Sequence, residues 1–253
     1  MSEQRQGETV ESGLLGGLNA TAGRRSFLKW SGAAAVTAAV AGCGDFGDKE
    51  STSVTGPVVT PDLTINLDFS NDFGILNYAF ALEQLEAAFY QAVVTSSTFA
   101  TTFTAQERLI LTDIRDHEVA HREFFRAAIP AANRIPDLTP NLSSVTLSNK
   151  AQVLATARTF EDLGVTAYNG AGPLFSNTDT GRALLTVAGK IVSVEARHAA
   201  AIRDLLNPKT SGANSFAPKD FDDFGTPGNV LGLAQPFIVQ PLRAINVPSI
   251  ANS

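Results

Sequence analysis

The stretch ILTDIRDHEVAHREFF, residues 110–125, predicts an α-helix, because its apolar residues recur at helical spacing. One face of the predicted helix carries Leu111, Ile114 and Phe125. Glu118 and His121 are three residues apart and fall on that same face. A buried carboxylate is costly unless it is paired or binds a metal. The stretch therefore predicts a helix that faces the core and has a functional Glu118–His121 pair on its buried face.

A second stretch, LLTVAGKIVSVEARHAAAI at residues 184–202, repeats the pattern. Glu195 and His198 are again three residues apart and interrupt an apolar line. A single such pair is equally well explained by a hydrogen bond on a helix surface. Two pairs on the core faces of separate helices, using two of the three histidines in the chain, favour a metal site.

Two more predicted helices each place a glutamate on the inward face, with a tyrosine seven residues later. These residues are Glu83 and Tyr90 in the first helix, and Glu161 and Tyr168 in the third. The four helices are predicted over residues 72–95, 105–129, 149–169 and 180–206. The order Glu…Tyr followed by Glu-x-x-His therefore occurs twice, which indicates two similar halves.

The connections between these helices predict the topology. Short links join the first helix to the second and the third to the fourth, so each pair is expected to be antiparallel. Residues 130–148 contain three prolines and can extend to roughly 60 Å, whereas a 25-residue helix is about 38 Å long. The expected fold class is therefore all-α, a four-helix bundle with one long crossover.

The residue types on the inward faces suit a pair of metal ions. Four carboxylates and two imidazoles can hold two divalent first-row metals, and this ligand set accepts Fe or Mn. Glu86, one turn beyond Glu83, is an alternative ligand at that position. His117 points about 100° away from Glu118 and is assigned to the rim of the site. Tyr90 and Tyr168 are also compatible with a purely packing role.

The segment FALEQLEAAFYQ, residues 80–91, resembles the bacterial ferritin-like family related to plant desiccation-related proteins. With the six positions above, the resemblance covers residues 66–206 and implies a ferritin-like bundle with a dinuclear carboxylate site. It implies these roles: Glu83 and His121 on the first metal, Glu161 and His198 on the second, Glu118 and Glu195 bridging both, and Tyr90 and Tyr168 beside the ligands.

The N-terminal residues resemble an export signal. RRSFLK at residues 24–29, with Arg24 and Arg25, resembles the twin-arginine motif, and an uncharged apolar stretch follows. Val-Ala-Gly-Cys at residues 40–43 resembles a lipobox, which implies lipidation of Cys43, although a buried, unreactive cysteine is the alternative. We expect a signal peptide over residues 1–42, a tether over 43–65, and a lipid-anchored protein on the periplasmic or cell-surface side of the membrane.

Composition limits the partners and leaves one segment undecided. The formal net charge is −6 and the mature chain has no basic block, which argues against nucleic acid as a partner. Residues 207–253 are rich in Pro and Gly yet contain several phenylalanines. We expect an extended strap that packs on the bundle or binds a partner. The sequence is also compatible with a homo-oligomer.

Two functions fit these features. The first is a redox protein that reacts with O₂ or H₂O₂, in the manner of a ferroxidase or a manganese catalase. The second is a non-catalytic envelope protein for stress or desiccation, with a structural metal site. A storage cage fits poorly, because a lipid anchor and a long apolar strap do not suit a closed soluble shell.

Overall fold

Four long α-helices dominate the computed structural model, which describes residues 64–212 and 215–249. They are α1 (Asp72–Thr95), α3 (Ala105–Ala128), α4 (Lys150–Ala171) and α5 (Asp179–Leu206), with the single-turn helix α2 (Phe99–Thr102) between the first two. These bounds agree with the four predicted helices to within one or two residues. The signal peptide, Cys43 and nearly all of the tether lie outside the described residues. Within the described ranges, no helix combines the length and the apolar character needed to cross a bilayer.

Polar side chains fix the starts of the long helices. Asn71 accepts a hydrogen bond from the backbone of Phe73 at the start of α1. Thr104 and Glu107 form a reciprocal capping box at the start of α3. Asn149 accepts a hydrogen bond from the backbone of Gln152 at the start of α4, and Thr178 accepts one from the backbone of Gly181 at the start of α5. Because each cap satisfies backbone N–H groups that have no partner inside the helix, these positions set where each helix begins.

The helices pack as two antiparallel pairs, α1 with α3 and α4 with α5. The pairs meet with α1 antiparallel to α4, because Tyr90 contacts Glu161 while Tyr168 contacts Glu83. It follows that α3 and α4 run in the same direction. The link between them, residues 129–149, therefore returns along the length of the bundle, as the sequence predicts for a crossover.

Helix α1 is the central element of the bundle, and most of its residues are buried. The crossover covers its outer side through side-chain to backbone hydrogen bonds. Asn77 bonds the backbone of Asn133 and Ile135, and Gln84 accepts from the backbone N–H of Leu138. These bonds satisfy backbone groups that the crossover would otherwise leave unpaired.

The C-terminal segment differs from the predicted extended strap, because part of it is helical. Helix α6 (Pro227–Ala234) and a 3₁₀ turn (Gln235–Phe237) follow the Thr226 cap. Strand β2 (Leu242–Ile245) then pairs in parallel with β1 (Ile65–Asp68), a two-stranded sheet that the sequence pattern did not predict. Val230, Leu231, Ala234 and Ile238 are buried in the main core. The short helix buries Val230, Leu231 and Ala234 together on one side, which a fully extended chain with alternating faces would not do.

Gly170 allows the C-terminal segment to approach α4 closely. A Cβ atom at this position would lie 1.9 Å from the carbonyl oxygen of Gly225. We expect Gly170→Ala to lower the free energy of unfolding by about 1–3 kcal/mol, because the segment must move away from the helix. Thermal or urea unfolding measures the change. Gly228→Ala, where a Cβ meets no atom within 4 Å, is the control and should not destabilise the protein. Equal stability of both variants would contradict this packing.

Candidate metal centre

The structure brings all six predicted ligands into one cluster in the middle of the bundle. Each long helix contributes, and the contributors are Glu83 from α1, Glu118 and His121 from α3, Glu161 from α4, and Glu195 and His198 from α5. The four carboxylates and His198 are buried, whereas His121 is slightly exposed. The helical spacing of three residues places each Glu and His of a pair on the same face.

One group of four potential ligands surrounds His121. Its Nδ1 lies 3.0 Å from Glu195 Oε1, 3.4 Å from Glu83 Oε2 and 3.6 Å from Glu118 Oε2. One ligand atom from each of these four residues lies within 4.8 Å of the others. Such a spacing allows all four to reach a common cation.

A second group of four surrounds His198. Its Nδ1 lies 2.8 Å from Glu118 Oε1, 3.3 Å from Glu161 Oε2 and 4.0 Å from Glu195 Oε2. Glu118 and Glu195 belong to both groups, each with a different oxygen toward each histidine. Two adjacent cation positions that share two carboxylates match the bridging roles implied by the resemblance, although the individual ligand roles stay predictions.

The cluster fits a metal site because its polar atoms lack partners. Among the described residues, eight nitrogen and oxygen atoms of these six side chains are buried without a hydrogen-bond partner. Several of the N···O distances are short, but the groups are not aligned as hydrogen bonds. Native proteins satisfy nearly all buried polar atoms. A carboxylate and imidazole donor set that converges without hydrogen bonds suits Fe or Mn.

Two tyrosines connect the halves of the bundle at the cluster. The Tyr90 hydroxyl on α1 donates a hydrogen bond to Glu161 on α4, and the Tyr168 hydroxyl on α4 donates to Glu83 on α1. Both tyrosines therefore lie beside predicted ligands, where the resemblance places them. Each bond orients a carboxylate and uses one of its oxygens, which leaves the other oxygen free toward the cluster.

The electrostatics of the cluster favour bound protons when no metal is present. Burial raises the pKa of Glu83 to about 7 and the pKa of Glu195 well above its ordinary range. Burial also opposes a charge on His198, but Glu118 and Glu161 raise its pKa to about 10. Burial alone would raise the pKa of Glu118, whereas the two neighbouring imidazoles lower it to about 2. A divalent cation replaces these protons and balances the same carboxylates.

His117 lies at the rim of the site, as its spacing from Glu118 predicted: it is exposed, yet it contacts one of the predicted ligands. Its Nδ1 lies 2.9 Å from Nε2 of His198, and the two rings are nearly parallel. The Nδ1 of His198 faces the carboxylates, so His117 holds the far side of the same ring. A partner of this kind fixes the tautomer and orientation of a metal-binding histidine. The sequence signal was its position directly before Glu118 on a helix that faces α5.

Glu83, and not Glu86, belongs to the group of ligand atoms around His121, and Glu86 is a further buried carboxylate beside that group. It is buried, and its pKa is raised well above the ordinary range by burial and by the charges of Glu195 and Glu118. Glu83 meanwhile keeps its contacts with His121 and Tyr168. The alternative ligand that the sequence offered at this position is therefore present together with the preferred one.

Comparisons with known proteins agree with this architecture. The sequence profile of a family described as ferritin-like domain matches residues 71–208, which is more than half of the chain. The matched range runs from the cap of α1 to just beyond the end of α5, so it includes all six predicted ligands. A search of curated proteins gives no match.

The raised pKa values predict how the stability of the metal-free protein depends on pH. Glu83 and His198 have folded-state pKa values of about 7 and about 10, above their ordinary values of 4.5 and 6.5. The folded state then binds more protons than the unfolded state, so stability falls as pH rises. We expect the melting temperature, measured with a chelator present, to fall between pH 5 and pH 10.

A change outside the cluster provides the control for this pH dependence. Glu107 caps α3 and pairs with Lys150, and its pKa is lowered by these contacts against the effect of burial. Glu107→Gln should lower the melting temperature without altering its slope above pH 5, because this carboxylate is already ionised there. A melting temperature of the metal-free wild type that rises from pH 5 to pH 10 would contradict the predicted protonation of the cluster.

Proposed function

Since the chain belongs to the ferritin-like domain family, we propose that its bundle binds two Fe or Mn ions and reacts with O₂ or H₂O₂. The proposal rests on one observation above all. Eight buried atoms from four carboxylates and two imidazoles converge on two adjacent positions without hydrogen-bond partners. Leaving so many polar atoms unsatisfied would strongly destabilise a core that had no cation to place there.

The residues of the cluster have distinct tasks under this proposal. Glu118 and Glu195 would be shared by the two positions, while Glu83 with His121 and Glu161 with His198 would complete one position each. When bound, two first-row metal ions a few Å apart can exchange two electrons with dioxygen or hydrogen peroxide. Tyr90 and Tyr168 hold Glu161 and Glu83 in place with their hydroxyl groups.

An apolar pocket beside the cluster supports access for a small oxidant. It has a volume of about 20 Å³, enough for one water-sized molecule, and its lining includes Ala79, Leu82 and Tyr168. The hydroxyl of Tyr168 bonds Glu83. The pocket thus reaches a residue that touches the cluster. Its apolar lining favours a small uncharged molecule over a charged substrate.

A second function, a structural metal site in a non-catalytic stress-related or desiccation-related protein, is favoured by the burial of the ligands. Glu118, Glu161 and Glu195 are completely inaccessible to solvent. A structural site is closed in this manner, whereas a catalytic site keeps an open position. Both functions use the metal site, but only the first involves catalytic turnover of O₂ or H₂O₂.

The location proposed for the protein follows from the N-terminal sequence. Export by the twin-arginine route and lipidation of Cys43 would place the bundle on the periplasmic or cell-surface side of the membrane. There the lipid chains supply attachment, since each buried CH₂ contributes about 0.8 kcal/mol. The acidic net charge makes binding to nucleic acid or to an anionic surface unfavourable.

Metal content and turnover, measured on the same purified protein, test the function. We expect about two Fe or Mn ions per chain, together with consumption of O₂ or H₂O₂. Two ions without turnover would overturn the redox function in favour of the structural site. A folded protein that binds neither metal would overturn both functions.

Substitution of the shared carboxylates sharpens this test. Glu118→Gln and Glu195→Gln should each impair both metal positions, because each residue belongs to both groups of ligands. Glu123→Gln is a matched control on α3, since Glu123 pairs with Arg122 and Arg126 outside the cluster and should leave metal content unchanged. Retention of two ions per chain in the Glu118 and Glu195 variants would refute the bridging roles.

The anchoring role of Cys43 has its own test. We expect Cys43→Ser to move the protein from the membrane fraction to the soluble fraction, because the variant has no thiol to carry the lipid. Immunoblots of fractionated cells measure the distribution. Ser53→Ala, ten residues further along the same segment, is the control and should remain with the membrane. A Cys43→Ser variant that stays in the membrane fraction would refute lipid anchoring at this residue.

A further inference from the structure

The two halves of the bundle differ at one position beside the cluster. Glu83 on α1 corresponds to Glu161 on α4, and the tyrosine seven residues later corresponds in both helices. Three residues after the glutamate, however, α1 has Glu86 where α4 has Gly164. The two halves therefore differ at this position: α1 has a carboxylate, and α4 has no side chain.

Gly164 leaves the space into which Glu86 reaches. A Cβ atom on Gly164 would lie 3.2 Å from Oε1 of Glu86 and 3.2 Å from Oε2 of Glu195. The two carboxylates thus approach each other over the surface of the glycine. Since Glu195 is one of the two residues shared by both groups of ligands, Glu86 lies beside the cluster, although its own oxygens belong to neither group.

The surroundings of Glu86 disfavour a bare carboxylate, which either a proton or a cation neutralises. Glu86 is only 3% exposed, and the charged groups that act on it most strongly are the carboxylates of Glu195, Glu118, Glu83 and Glu161. A packing role alone would be served better by an apolar residue, because a buried carboxylate among like charges is destabilising. Four carboxylates already offset two divalent ions, so a fifth adds negative charge on one side only.

We propose that Glu86 is a seventh metal-binding side chain, which enters the ligand sphere of one of the two metal positions beside Glu195 and makes the two positions unequal. The inference rests on the metal site of the proposed function. Glu86 then strengthens binding at one position, and Gly164 on the opposite helix provides the room for its carboxylate. The other position has only those ligand types that occur in both halves of the chain.

Titration of the metal-free protein with Mn²⁺ alone, followed by calorimetry without any oxidant, tests this inference. We expect two binding steps of unequal affinity for the wild type. Glu86→Gln keeps the size of the side chain and should weaken one step by roughly tenfold or more, as ligand changes do, while the other step changes little. A purely structural role would instead lower the melting temperature and leave both steps in place.

A pair of glycine variants tests the geometry. Gly164→Ala places a methyl group 3.2 Å from Oε1 of Glu86 and equally close to Oε2 of Glu195, so it should weaken the step that Glu86→Gln weakens more than it weakens the other step. Gly189→Ala is the matched control, because it also adds a methyl group inside a long helix but meets no atom within 4 Å. It should leave both binding steps unchanged.

The outcomes separate this inference from the proposed function. If the wild type binds two Mn²⁺ ions and the Glu86→Gln variant binds both with unchanged affinities, the role of Glu86 is overturned while the metal site stands. If the folded wild type binds neither Mn²⁺ nor, without any oxidant, Fe²⁺, the metal site itself fails, and the role of Glu86 fails with it. Loss of one step in Glu86→Gln and in Gly164→Ala, with Gly189→Ala unaffected, supports the inference.

Discussion

The constraint on which the rest of this structure depends is the burial of five carboxylates between four helices. Hydrophobic burial stabilises the bundle, but five carboxylates at its centre oppose it unless protons or cations balance their charge. Only two imidazoles share the interior of the cluster with them. In the metal-free protein, Glu83 and His198 have raised pKa values, so the protons that they hold reduce the net negative charge of the cluster. A pair of divalent ions achieves the same balance with ligands that are already positioned.

The bundle around this cluster is arranged to hold the carboxylates in place. Helix α1 lies at the centre, the crossover covers its outer side, and the C-terminal segment packs on α4. The reciprocal bonds of Tyr90 to Glu161 and of Tyr168 to Glu83 tie α1 to α4 at the level of the cluster. Each half of the chain thereby orients a carboxylate of the other half. A dinuclear site shared in this manner requires the two helix pairs to be docked together.

Departures from the two-fold pattern concentrate at the cluster. His117 supports His198 from behind, whereas the corresponding position on α5 is Val194. Glu86 reaches toward Glu195 across Gly164, with no counterpart on the other side. An internal repeat supplies two equivalent sets of candidate ligands, and under the proposed two-metal site such substitutions would make the two positions chemically different. Inequivalent positions suit chemistry in which the two ions have separate tasks, and they are unnecessary for packing alone.

The sequence alone was sufficient to predict the four long helices and the six side chains that converge between them. The reason is that helical period, capping residues and Glu-x-x-His spacing are local properties of the chain. It also determined the crossover, since the length of the link between α3 and α4 allows the chain to return along the bundle. Local patterns did not reveal the pairing of β1 with β2, the helical form of residues 227–237, the contact of His117 with His198 or the position of Glu86 beside Gly164, and tertiary contacts set all four. These features depend on contacts between residues far apart in sequence, such as Glu86 with Gly164, and local spacing carries no information about such contacts.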